Sequence, residues 1–91
     1  MVLEIYVELL ATAATLFGVF MSLAHFPQAY KIYKRKSSAD ISILTYSLFL
    51  TGVIIWLLYG LSINNIALIA SNSVAVFGVS SVIIMYFVYK K

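Results

Sequence analysis

Two side chains stand apart in an otherwise apolar sequence: the indole of Trp56 and the carboxamide of Asn72. An indole offers a flat apolar face, and a carboxamide offers two donors and an acceptor. Together they could hold a polyhydroxylated solute, its C–H faces stacked on the ring and its hydroxyls bonded to the amide. Each also has a plainer use. Trp56 could belong to the aromatic belt at a membrane surface, although it sits four to five residues inside the end of its apolar run. Asn72 could be a hydrogen-bonding group that glues helices together. Both lie eight residues from Asn64, the middle of the intervening polar turn. Antiparallel neighbouring helices would therefore hold them at similar depth.

Other chemistries lack their residues. With one histidine, no cysteine and three acids, the chain offers no nucleophile–base–acid set and no clustered metal ligands. It also has no Gly-rich phosphate loop. The expectation is that it is no enzyme, with no catalytic residue, no metal and no cofactor. Ion-coupled pumps place an acid or base deep in the membrane. Here Glu4 and Glu8 lie near the N-terminus and Asp40 in a loop, which leaves His25 as the titratable candidate within a span. It reads as a residue at headgroup level beside a kink, so proton coupling through His25 is not supported.

These residues must be positioned by membrane helices. The chain has 91 residues, 64% apolar and 10% charged, with mean hydropathy +1.05. A soluble domain this short could not hide so much apolar surface. From Ile41 to Tyr89 no Asp, Glu, Lys or Arg occurs. At about 20 residues per crossing that stretch holds two spans and a turn, and Leu9–Tyr30 supplies a third. The expectation is an all-α membrane protein with residues 1–91 as a single transmembrane domain and spans near 3–33, 41–61 and 66–89. Acids stand where a signal peptide would carry its basic leader, so none is expected.

Charge sets the orientation. Lys31, Lys34, Arg35 and Lys36 fill the first connection and Lys90 and Lys91 end the chain, while the second connection is uncharged. Three spans put all six basic side chains on one side, which the positive-inside rule makes cytoplasmic. The N-terminus is then outside, with the first loop and C-terminus cytoplasmic, in a multi-pass protein of a cell inner membrane. A short basic loop against a bilayer is no nucleic-acid site.

Within the first span Ala11, Thr15, Gly18, Ser22 and His25 share one helix face. That face serves either close packing or a polar cavity wall. Reflecting Trp56 through the first connection, centred near Ser37, lands on Gly18. Pro27 should kink this helix, because it cannot donate to the Leu23 carbonyl. Asp40 and Ser38 are candidate caps for the second helix, where Phe49, Gly52, Trp56 and Tyr59 share a face.

Pro27-Gln28 precedes a basic loop that ends in Ser37-Ser38-Ala39-Asp40-Ile41-Ser42; Trp56-Leu57-Leu58-Tyr59-Gly60 and Asn72 follow. In order and spacing this resembles the PQ-loop proteins, and over nearly the whole chain the bacterial SemiSWEET sugar transporters. The resemblance implies a three-helix bundle acting as a parallel homodimer, which moves mono- or disaccharides down their gradient by alternating access. SWEETs themselves are known for parallel repeats about an axis along the membrane normal. Trp56 and Asn72 would bind the sugar, with Thr15, Gly18, Ser22 and Phe49 as further contacts. Pro27 and Gln28 would form a hinge and Tyr59 an outer gate. Relatives often carry a basic residue shortly after the Trp-x-x-Tyr-Gly segment; here Leu61-Ser62-Ile63-Asn64-Asn65 has none. The alternatives are a PQ-loop transporter of amino acids or other polar metabolites, and a structural membrane subunit without transport.

Overall fold

The computed structural model of the chain describes residues 1–90. Four helices follow one another: α1 Val2–Ser22, α2 His25–Arg35, α3 Ile43–Ser62 and α4 Ile66–Val88. α1 and α2 together form one 34-residue span, so three spans, Val2–Arg35, Ile43–Ser62 and Ile66–Val88, are long and apolar enough to cross a membrane. They lie side by side in a slab of 56 × 23 × 15 Å. α4 is the shared element: α1, α2 and α3 all pack on it, whereas α1 and α3 have no substantial interface with each other.

The first span breaks at Leu23–Ala24, one turn before Pro27. Lacking an N–H, Pro27 cannot donate to Leu23, and the Leu23 carbonyl accepts instead from the Phe26 N–H at 3.1 Å. The Ala24 N–H likewise reaches back three residues, to Met21, at 3.1 Å. Pro27 itself lies in the first turn of α2, where a missing donor costs least.

α3 starts at Ile43 because Ser42 caps it: its hydroxyl accepts from the Thr45 N–H at 3.2 Å, a contact worth about 1 kcal/mol. This corrects the assignment of the cap to Ser38 or Asp40. Asp40 instead pairs with Arg35 at 2.9 Å across an exposed gap, which contributes at most about 1 kcal/mol. Ser38 is pulled away from α3 altogether. It is 2% exposed, and its hydroxyl lies 3.0 Å from the Tyr86 carbonyl and 3.1 Å from that of Tyr89. Its N–H also donates to Tyr89 at 3.1 Å. The loop thereby crosses the end of α4 and satisfies carbonyls that a helix terminus would leave open.

The turn between α3 and α4 closes with a Schellman motif. Asn65 N–H donates to Gly60 at 2.9 Å, Asn64 N–H donates to Leu61 at 3.3 Å, and Asn64 takes the left-handed conformation, φ 53°. Asn65 then caps α4 by accepting from the Leu68 N–H at 3.0 Å. Packing is uneven along the slab. Ala29 and Ile32 of α2 and Val82 of α4 form a buried core at the basic end, ringed by Ile41, Tyr46, Met85 and Tyr89. α1 buries no residue at all.

Candidate functional site

Three close approaches fix the register of the helices around α4. A Cβ on Gly60 would stand 2.7 Å from the Leu68 Cβ, so α3 and α4 nearly touch there. Trp56 is one turn before Gly60 and Asn72 one turn after Leu68. Antiparallel helices therefore carry Trp56 and Asn72 to the same depth, one turn further from the Asn64 turn than this contact. On the other flank, a Cβ on Gly18 would meet the Ser71 Cβ at 2.8 Å, and one on Gly78 would meet the His25 Cβ at 2.9 Å. α1 and α2 run parallel to α4 in a constant register, which sets Gly18 level with Ser71, next to Asn72.

The side chains of this layer differ in how committed they are. The Trp56 ring is half exposed and stands edge-on to Tyr59, with centroids 5.8 Å apart at 81°. Ile55, Trp56 and Tyr59 line an open groove of about 300 Å³. The Asn72 amide N–H donates to the Leu68 carbonyl of its own helix at 2.9 Å. Its Oδ1 accepts no hydrogen bond from the described residues and is not sealed from solvent. The layer thus presents an aromatic face and an available acceptor from two neighbouring helices.

Gly18 and Ser22 are engaged in packing. Gly18 admits Ser71, and the Ser22 hydroxyl lies 2.8 Å from the Gly18 carbonyl and 2.9 Å from that of Ser71. The second contact ties α1 to α4. The Thr15 hydroxyl donates to Ala11 at 2.8 Å. Both residues border a cleft of about 640 Å³ between the N-terminal half of α1 and the Asn64–Ala67 segment. Phe49 is half exposed and joins Tyr46 edge-on at 5.6 Å and His25 at 6.2 Å. Pro27 is exposed and Gln28 partly buried, just beyond the break between α1 and α2.

Sequence reasoning missed Ser71 and Gly78, and gave Ser38 a capping role that the structure does not. A signal for the first two existed. Ser71 and Gly78 are seven residues apart, as are Gly18 and His25, and matched small residues at matched spacing are what a parallel helix pair needs to approach closely. Ser38 gave no comparable sign, because its partners are backbone carbonyls of a distant helix end.

The model of the family described as PQ loop repeat matches residues 8–69, more than half of the chain. The chain belongs to the PQ-loop family. Among its PQ-loop relatives it is 31% identical to a "Sugar transporter SemiSWEET" of Escherichia coli (strain UMEA 3162-1), over 79% of this chain and 81% of that protein. A protein of the same description from Bradyrhizobium diazoefficiens is 34% identical over 70% of this chain and 74% of its own length. The longer "Bidirectional sugar transporter SWEET12" of Oryza sativa subsp. japonica is 29% identical, over 91% of this chain but 29% of its own length. These relatives are named as transporters, not as enzymes. No solved structure matches the chain at a significant level.

Proposed function

We propose that the chain carries mono- or disaccharides down their gradient, as a parallel homodimer working by alternating access. The observation that carries this reading is the layer of Trp56 and Asn72: a half-exposed indole and an available amide oxygen at one depth, in a chain whose relatives are named sugar transporters. Asn72 spends one of its two amide hydrogens within its own helix and none on another helix, which weighs against glue between helices of the protomer. Trp56 stacks on the sugar and Asn72 accepts from its hydroxyls. Thr15, on the cleft nearer the Asn64 turn, and Phe49, about two turns from Trp56 toward the basic end, supply further contacts, and Gly18 and Ser22 set the distance of α1 from α4.

A slab 15 Å thick cannot enclose a path for a sugar, so a second copy is needed. Three spans give every copy the same orientation, and a two-fold axis then sets two Trp56 and two Asn72 around one centre. The rice relative, of which this chain covers 29%, fits a design that uses more than one such unit. The uneven packing supports alternating access: a cleft near the Asn64 end, a tight core at the basic end, and a backbone break between them. Pro27 with Gln28 serves as the hinge, and Tyr59 closes the outer side without an ionic partner.

Liposomes containing the purified protein test this. Radiolabelled sugar should equilibrate faster than in empty liposomes, at a rate unchanged when a proton gradient is collapsed. Entry of amino acids with no sugar in a broad panel would replace this reading with the polar-metabolite one.

The protein sits in an inner membrane with its basic end cytoplasmic. Lys31, Lys34, Arg35, Lys36 and Lys90 lie at that end and Glu4 and Glu8 at the other; Lys91 lies outside the described residues. Single cysteines at Asn64 and at Ala39, both exposed, should label from outside and inside respectively. The reverse pattern would invert the topology and the gates built on it.

A further inference from the structure

The basic end of the slab holds a second feature that sugar movement does not use. Between α2 and α4 runs an open groove of about 370 Å³, lined by Ala29, Tyr30 and Tyr33 on one side and Ser81, Ile84 and Met85 on the other. Its one hydroxyl besides the tyrosines, that of Ser81, donates back to the Gly78 carbonyl at 2.6 Å. The walls therefore offer apolar surface. The two tyrosines each carry a lysine. Lys34 Nζ stands 6.0 Å from the Tyr30 ring centre, and Lys36 Nζ stands 3.8 Å from that of Tyr33 and 5.1 Å from that of Tyr89. Lys36 ends α2 in the left-handed conformation, φ 57°, as helix ends commonly do, and its ammonium lies over these rings.

No carboxylate compensates these two charges among the described residues. Asp40 is taken by Arg35, and Glu4 and Glu8 lie at the far end of a 34-residue span, roughly 40 Å away at about 1.5 Å per residue. An apolar groove at membrane depth with an uncompensated cationic rim at headgroup level matches one ligand class. Basic pockets between membrane helices attract anionic headgroups, and the apolar trough beneath selects a molecule that has acyl chains as well as a phosphate.

We propose that this groove is a binding site for one anionic phospholipid, its phosphate between Lys34 and Lys36 and an acyl chain between α2 and α4. A second copy of the chain fits the groove poorly. Two-fold contact there would bring both pairs of lysines together without a counter-charge. The site depends on membrane placement alone and stands whether or not the chain moves sugars.

Brominated lipids provide the test. In a Trp56→Phe background, Tyr30→Trp places the sole indole in the groove. Brominated phosphatidylglycerol should quench it in preference to brominated phosphatidylcholine, with a relative affinity of roughly thirtyfold, given about 1 kcal/mol for each of the two lysines near a charged surface. Lys34→Gln with Lys36→Gln should bring the ratio close to one. Lys31→Gln with Lys90→Gln removes the same charge elsewhere, since Lys31 is turned about 100° from Tyr30 on the helix and Lys90 stands over Phe87. That pair should keep most of the preference. An equal fall in both double variants would reduce the effect to surface potential and overturn the site. So would an indole shielded from both lipids, which is the result expected if protein fills the groove. Mass spectrometry of the unsubstituted chain is independent of the reporter. One phosphatidylglycerol per protomer should survive exchange into neutral detergent, and its complete loss would also overturn the site.

Discussion

Asn72→Ala should remove most sugar uptake while leaving the proposed dimer able to form. The amide oxygen and the second amide hydrogen of Asn72 have no partner among the described residues, so truncation should take hydrogen bonds from the substrate and none from a neighbouring helix. A neutral hydrogen bond is worth roughly 0.5–1.5 kcal/mol. One gene change removes both copies from the site, so affinity should fall about tenfold or more, at about 1.4 kcal/mol per factor of ten. Trp56→Ala should act in the same direction through the lost stacking surface, and it leaves the Gly60–Leu68 contact intact. Uptake and oligomeric state are measured on one Asn72→Ala preparation. Full transport by an intact dimer would end the assignment of Asn72 to the sugar site. A dimer that falls apart with transport per remaining dimer unchanged would make Asn72 a packing residue.

Gly78→Val should immobilise the break in the first span or force it off α4. A Cβ there would stand 2.9 Å from the His25 Cβ and 3.2 Å from the Ser22 carbonyl oxygen. Those atoms lie on either side of Leu23–Ala24, so the added side chain would wedge both sides of the break at once. Overpacking of this kind costs about 1–3 kcal/mol. Pro27→Ala acts by the opposite route. It restores a donor for the Leu23 carbonyl and should straighten the span, slowing exchange between inward- and outward-open states while insertion and dimerisation persist. Spin-label distances between the basic ends of the helices, with and without sugar, read both changes. Wild-type distances and wild-type flux in Pro27→Ala would leave the proline a packing kink. Unchanged thermal stability and unchanged distances in Gly78→Val would show that α4 does not hold the break.

The helical class and the three spans were legible because two long uncharged runs and a clustered basic loop leave little other choice. The level of Trp56 with Asn72 was legible too, since a symmetric turn fixes depth by counting. The Gly60–Leu68 approach gives the same register independently. The cap of α3 was misread for a physical reason. Ser38, Asp40 and Ser42 all carry a suitable oxygen, and local sequence does not say which is diverted. Tertiary contacts decide, drawing Ser38 to the end of α4 and Asp40 to Arg35, which leaves Ser42 to cap. The stripe from Ala11 to His25 could read as packing or as cavity wall. Gly18 and Ser22 have α4 as their partner, while Thr15, a turn further out, opens onto the cleft.

The central place of α4 also bears on how the molecule is made. Ribosomes deliver the spans in order, yet the helix on which the other two rely emerges last. When the first two have entered the bilayer they share little interface of their own, joined by a loop whose Ser38 has as yet no carbonyl to bind. The third must then take its place against both, threading its small residues onto the waiting Gly18–His25 stripe and its Leu68 onto Gly60. Assembly is therefore a single late event, and until it happens a nascent chain consists of helices that are inserted but unfolded with respect to one another.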